Sequence, residues 1–207
     1  MNIQHRTVAF FCVLLVSLGC VATAGEFNQV LSIGDAAPQW NDLPGVDGKL
    51  HSLSDLGERK AVVVVFTCNS CPYAVDVEDR LNALHEKYSD RSVSLVAINV
   101  NKVDDDLMPA MKEKAQQKKF QFAYLFDETQ QIAKNFGAKY TPEFFVLNQD
   151  RKIAYMGSLD DSPDGKHVTK RHVESAIDAV LSGATPQVTE TVPIGCRIRM
   201  ERERRGR

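Results

Sequence analysis

The chain has almost no net charge. Its 207 residues set 25 Lys and Arg against 27 Asp and Glu, for −2 at neutral pH. No global field therefore argues for nucleic acid or a membrane surface as a partner. Internal repeats and low-complexity segments are also lacking, and a solenoid goes with them. Apart from His5, the histidines are His51, His85, His167 and His172. None belongs to a paired ligand motif, and each reads as a solvated or locally hydrogen-bonded side chain. A zinc site built on the cysteines would need two further ligands at suitable spacing, and the sequence offers none. Long apolar runs are missing too. The longest, "TVAFFCVLLVSLGC", falls short of the ~20 residues that span a bilayer.

That run sits behind "MNIQHR", with Arg6 as its positive charge, and ahead of "ATA" at Ala22 to Ala24. The order is that of a secretory signal with cleavage after Ala24. An uncleaved anchor is the alternative. A lipid-modified Cys20 is weaker, because Ser17 and Leu18 suit the preceding positions poorly. Cleavage leaves no membrane span and removes Cys12 and Cys20. Cys68, Cys71 and Cys196 remain, in a compartment where thiols tend to pair. Three is odd, so one is free, intermolecular, or alternates between partners.

What is present is a core-forming composition, 43 % hydrophobic and 25 % charged. Residues 33–60 are turn-rich, with Pro38, Pro44, Gly45 and Gly48, and predict a hairpin leading to one helical turn at "SLSDL". "AVVVVF", 61–66, reads as a central strand buried on both faces. Over 72–88, Ala74, Val77, Leu81, Leu84 and Tyr88 form one helical stripe, with Glu78, Asp79 and Lys87 off it. "SVSLVAINV" is a second strand. "DDLMPAMKEKAQQKK" is a helix with Asp105 or Asp106 near its start and Lys118 and Lys119 near its end, as the dipole prefers. "TQQIAKNFG" is a short helix stopped by Gly137, "EFFVLN" and "KIAYMG" are strands around "QDR", and 169–183 is a last helix ended by Gly183. The pattern is α/β with a mixed sheet. The last eleven residues, "RIRMERERRGR", carry +4 and leave −6 for the remainder. They read as a solvated tail, with an anionic partner as the other reading.

"FTCNSCPY" joins a buried strand to a helix and places Cys68 and Cys71 two residues apart. Free N–H groups and the helix dipole there favour a thiolate, which the pattern predicts at Cys68. Cys71, one turn on, can attack a mixed disulfide formed at Cys68. Pro72 suits the first helical turn. A purely structural bridge would close too short a loop to gain much. "KYTPEFFVLN" puts Pro142 ahead of a strand. A cis Thr141–Pro142 bond would set a tight loop beside the cysteines, and an ordinary trans turn is the alternative.

"IGDAAPQWNDLPGVDGKLHSLSDL", "VVVVFTCNSCPY", "YLFDETQQIAKNFGAKYTPEFFVLNQDRKIAYMGSLDD" and "VPIGCRI" together resemble the thioredoxin-fold superfamily in its peroxiredoxin-like, AhpC/TSA-related branch, over roughly residues 30–199. The resemblance implies a thioredoxin-like fold over 31–185, with a central mixed sheet flanked by helices, an N-terminal hairpin extension, and a C-terminal extension over 186–207. It implies a thiol–disulfide oxidoreductase without a dissociable cofactor or metal, and with the leader, an exported one. Its substrate would be a protein or small-molecule disulfide or dithiol, served by an unidentified redox partner. By it, Cys68 attacks, Cys71 resolves, and Thr141 before a cis-Pro142 pairs with substrate backbone. Cys196, in the subgroup's glycine–cysteine, is a candidate third redox thiol. Two departures stand out. The Pro–three residues–Thr–two residues–Cys signature of the branch's peroxidases falls on Val64 and Cys68 counted from Cys71, or on Ala61 and Val65 counted from Cys68. Thioredoxin's buried acid is replaced by Val62, leaving Glu143, Glu78 or water to serve Cys71. A thiol peroxidase and a copper- or zinc-binding module of the same fold are the alternatives.

Overall fold

The computed structural model describes residues 25–201. The leader expected over 1–24 and the end of the basic tail, 202–207, lie outside the described residues. An antiparallel hairpin of β1 (Leu43–Pro44) and β2 (Leu50–His51) comes first, and a single 3-10 turn, Leu53–Leu56, follows it as expected. Then come β3 (Ala61–Thr67), α1 (Pro72–Tyr88), β4 (Val93–Asn99), α2 (Met108–Lys118), β5 (Ala123–Phe126) and α3 (Gln131–Phe136). The chain continues through β6 (Tyr140–Thr141), β7 (Glu143–Leu147), β8 (Ile153–Gly157), α4 (His172–Leu181) and β9 (Cys196–Arg197).

Five strands form one mixed sheet in the order β5-β4-β3-β7-β8. β3 runs parallel to β4 and antiparallel to β7, and β4 runs parallel to β5. Parallel neighbours require crossovers, and α1 and α2 supply them. Every residue of β3 is buried. Ala61, Val63 and Val65 face a layer with Val77, Leu81, Leu84 and Tyr88 of α1 and Val173, Ala176 and Ile177 of α4. Val62, Val64 and Phe66 face the other layer, with Trp40, Leu53 and Phe136. Both faces of the strand are dry, which is why its sequence is an unbroken β-branched run.

Three features differ from the sequence reading. β5 was not among the predicted strands. It is an edge strand of four residues between polar stretches, too short to show a period. Glu78 is buried despite lying off the apolar stripe, because Lys114 and Lys118 of α2 meet its carboxylate at 3.1 and 3.2 Å. Asp106 does not serve the start of α2, whose N-cap is Leu107; it lies in a 3-10 turn, fully buried, and faces the sulfur loop. Among the described residues no helix is long and apolar enough to cross a membrane.

Candidate active site

The carboxyl ends of β3 and β4 open onto the site, the usual place for chemistry in an α/β sheet. Cys68 follows directly on β3, and the chain then turns through Asn69 and Ser70 into α1. This turn is pinned from below. The Asp106 carboxylate accepts the N–H groups of Asn69 and Ser70 at 2.7 and 2.9 Å and the Ser70 hydroxyl at 2.7 Å. Asn99, the last residue of β4, donates its side-chain amide to the Asp106 carbonyl. The Asn69 side chain accepts the Tyr124 hydroxyl at 2.8 Å and donates to the Asp105 carbonyl at 2.8 Å. The sequence reading did not place Tyr124 at the site and took Asp106 only as a helix-start acid. The signal was there in part: a run of three acidic residues just beyond a central strand.

Helix α1 starts at Pro72, so Cys71 is its N-cap. The expectation of Cys68 as the sulfur at the helix start is corrected here: the N-cap is Cys71, which makes no side-chain cap hydrogen bond, and Cys68 lies a turn ahead of the helix. Cys68, Ala74 and Cys196 pack around Cys71; their polar groups, the Cys68 thiol first, outweigh burial and pull Cys71 down to about 5. One acceptor competes, the Thr141 carbonyl, 3.0 Å from the Cys71 sulfur and available to its protonated form. Cys68 moves upward, because it gives its proton to the Cys71 sulfur, because it is buried, and because the Asp106 charge is near. The Thr141 hydroxyl lies 3.5 Å from the Cys68 sulfur, and the Ser70 hydroxyl donates to it at 3.9 Å. The two thiols therefore titrate as one pair, Cys71 pulled down and Cys68 pushed up, inside the frame that Thr141 and Ser70 set around them.

The Thr141–Pro142 bond is cis, and Thr141 lies against both sulfurs. Glu143, next in the chain, is buried and accepts the N–H groups of Lys139 and Tyr140 at 2.8 and 3.0 Å. It braces this loop from within, and neither it nor Glu78 is among the hydrogen-bond partners of the sulfurs. Burial pushes Glu143 up to about 7 against those two bonds. The folded state thus binds this proton more tightly than the unfolded chain, so Glu143 stabilises fully below about pH 4.5 and loses that contribution as pH rises through 7. The displacement corresponds to roughly 3 kcal/mol. Glu143→Gln keeps an acceptor oxygen without the charge. Denaturant unfolding should show it more stable than the parent at pH 8 by up to roughly 3 kcal/mol, and about equal at pH 4. An identical difference at both pH values would refute this assignment.

Val62, in the place of thioredoxin's acid, packs in the apolar layer with Val64 and Phe66. Cys196 was expected to return to the site, and it does: β9 pairs with β6, Cys196 opposite Thr141. Among the described residues no group of three or more His, Cys, Asp or Glu side chains is arranged to hold a metal ion. His51 pairs with Asp47 at 3.1 Å, and His172 stacks on Tyr155.

Known proteins share this arrangement to different depths. The structure matches an uncharacterized protein from Geobacillus kaustophilus with a TM-score of 0.80 and 35 % identity, over 86 % of this chain and 96 % of that one. It matches a hypothetical protein from Sinorhizobium meliloti 1021 with a TM-score of 0.79 and 31 % identity, over 84 % of this chain and 97 % of that one. The thiol-disulfide oxidoreductase ResA of Bacillus anthracis is 25 % identical over 155 residues, 72 % of this chain and 86 % of that protein. The model of the AhpC/TSA family matches residues 33–156, which takes in the sheet up to, but not including, the last residue of β8, the cysteine pair and the cis-proline. With the thioredoxin-like sheet and a sulfur pair at the end of its central strand, the chain belongs to the AhpC/TSA family, as a thioredoxin-like thiol–disulfide oxidoreductase.

Proposed function

We propose that the protein exchanges disulfides through the Cys68–Cys71 pair, in an exported setting reached by the leader over residues 1–24. The observation that carries the reading is the packed Cys68–Cys71 pair at the start of α1, with both sulfurs against Thr141 of the cis Thr141–Pro142 bond. Cys68 attacks one sulfur of the substrate disulfide and hands its proton to the Cys71 thiolate. One substrate sulfur stays bonded to Cys68 and the other leaves as a thiolate. Cys71 then loses its proton to that thiolate or to water and attacks Cys68. The Cys68–Cys71 bond forms, the mixed disulfide breaks, and the second substrate sulfur leaves. Two electrons pass from the pair to the substrate. Cys71 is thus first the proton acceptor and then the resolving thiol. The role that thioredoxin gives to a buried acid falls here to the ionised sulfur itself. Thr141, whose backbone is already paired with Cys196 of β9, stands beside the attacked bond.

Anion stabilisation at Cys71 favours the dithiol form, which raises the potential of the couple above thioredoxin's ~−270 mV, toward the oxidising end. The reading is tested by reacting the reduced protein with an excess of a small disulfide and following thiol release. Burst formation of a Cys68–Cys71 bridge is expected. Oxidation without that bridge would contradict the reading.

Peroxide chemistry separates this from the peroxidase alternative. In the frame counted from Cys71, Val64 and Cys68 replace the signature's Pro and Thr, so no Thr hydroxyl from that motif polarises a peroxide. Hydrogen peroxide should oxidise the reduced protein at the rate of an ordinary thiolate. Stoichiometric consumption within seconds at micromolar peroxide would overturn this expectation.

A further inference from the structure

The tail that carries Cys196 is fastened to the site. The Ile198 N–H donates to the Lys139 carbonyl at 2.9 Å, and the Arg199 N–H to the Asn101 side chain at 3.1 Å. Gln130 clasps the next residues, donating to the Arg199 carbonyl at 3.0 Å and accepting the Glu201 N–H at 2.8 Å. Ile198 is buried in the apolar layer, with Met200 against it. Gly195 passes so close to Thr141 that a Cβ there would stand 2.4 Å from the Thr141 carbonyl oxygen, so only glycine permits the approach. These contacts deliver Cys196 opposite Thr141 and pack it against Cys68, Cys71 and Ala74. Cys71 therefore has a thiol on either side. Of the three sulfurs' residues, Cys68 and Cys71 are buried, and Cys196 is half-buried.

We propose that Cys196 is a third redox thiol, which takes Cys71 over from the Cys68–Cys71 disulfide and presents the oxidised site to an external dithiol reductant. The inference rests on the exchange reading above. In the step, the Cys196 sulfur attacks the Cys71 sulfur. The Cys71–Cys196 bond forms and the Cys68–Cys71 bond breaks. The electron pair leaves on the Cys68 sulfur, and the proton lost by Cys196 ends on Cys68. One thiol and one disulfide enter and leave, so no further oxidant or reductant is needed. Cys68 is freed while the disulfide moves to the more accessible sulfur. A dithiol attacking Cys196 then releases Cys71, and its second thiol displaces Cys196.

The test uses the full chain, reduced and then oxidised with one equivalent of 5,5′-dithiobis(2-nitrobenzoic acid), acid-quenched, alkylated and peptide-mapped, as parent, Cys68→Ser and Cys196→Ser. The parent should yield both Cys68–Cys71 and Cys71–Cys196 bridges. Cys68→Ser should yield the Cys71–Cys196 bridge, and Cys196→Ser only the Cys68–Cys71 bridge, with turnover by dithiothreitol slowed several-fold. A parent that holds only Cys68–Cys71, with turnover unchanged in Cys196→Ser, overturns the relay and leaves the exchange reading standing. A parent with Cys71–Cys196 alone, formed without any Cys68–Cys71 bridge, overturns the exchange reading instead. The parent map decides by itself should either variant fail to fold.

Discussion

Cys71→Ser should turn the protein from a catalyst into a trap. Cys68 still attacks, but nothing resolves the mixed disulfide, and substrate accumulates on Cys68. The attack itself should slow by roughly 10²-fold or more, because the thiolate that receives the Cys68 proton is gone. Cys68→Ser should lose turnover and hold no lasting mixed disulfide, because any adduct formed on Cys71 is displaced by the neighbouring Cys196. Each side chain is only 3 % exposed and serine nearly matches cysteine in shape, so far-UV circular dichroism should stay unchanged. The check is mass spectrometry of each variant after incubation with a small disulfide. Substrate held on Cys71 in Cys68→Ser, with none on Cys68 in Cys71→Ser, would reverse the roles.

Asp106→Ala should be the most damaging change outside the cysteines. The carboxylate is fully buried and takes three hydrogen bonds from the two residues between the sulfurs. Its removal leaves two N–H groups and a hydroxyl without their acceptor, a loss of roughly 3–5 kcal/mol. Disulfide exchange should fall with it, because the turn that holds Cys68 against Cys71 is no longer fixed. Asp106→Asn keeps one acceptor oxygen and should lose less stability. It also removes a negative charge near Cys68, whose proton should then leave more easily, although the Cys71 sulfur and burial remain the larger influences. Urea unfolding and the pH profile of thiol reactivity read the two effects separately. A stable Asp106→Ala protein with parental exchange would show that the turn stands without its anchor.

Much of the fold was legible because its strongest elements obey local rules. The run 61–66 could hardly be anything but a central strand, and the stripe Ala74, Val77, Leu81, Leu84 and Tyr88 is buried as its period requires. Gly137 and Gly183, both with positive φ, end their helices where expected. The cis bond at Pro142 and the return of Cys196 to the cysteine pair also follow the sequence pattern. What escaped depends on contacts distant in the chain. Glu78 is buried only because α2 brings two lysines to it. Asp106 looks like a helix-start acid until the turn after β3 is placed above it, 36 residues away in sequence. The place of Cys71, not Cys68, at the helix start follows from a helix that begins at Pro72, a boundary sequence patterns fix least well, and the closeness of Cys196 comes from a residue 125 positions farther along that no periodicity could place.

The reduction potential of the Cys68–Cys71 couple, followed from pH 4 to pH 8 in thiol–disulfide buffers with acid-quench mapping, tests the central claim most directly. If one proton is lost from the Cys68–Cys71 pair below neutral pH, as the lowered Cys71 implies, reducing the bridge takes up only one proton there. The potential should then fall by ~30 mV per pH unit between pH 6 and 8, and by ~60 mV per unit below about pH 5, with the Cys68–Cys71 bridge as the species titrated. A slope of ~60 mV per unit across the whole range would mean that both sulfurs stay protonated, and it would contradict the shared-proton pair on which the mechanism depends.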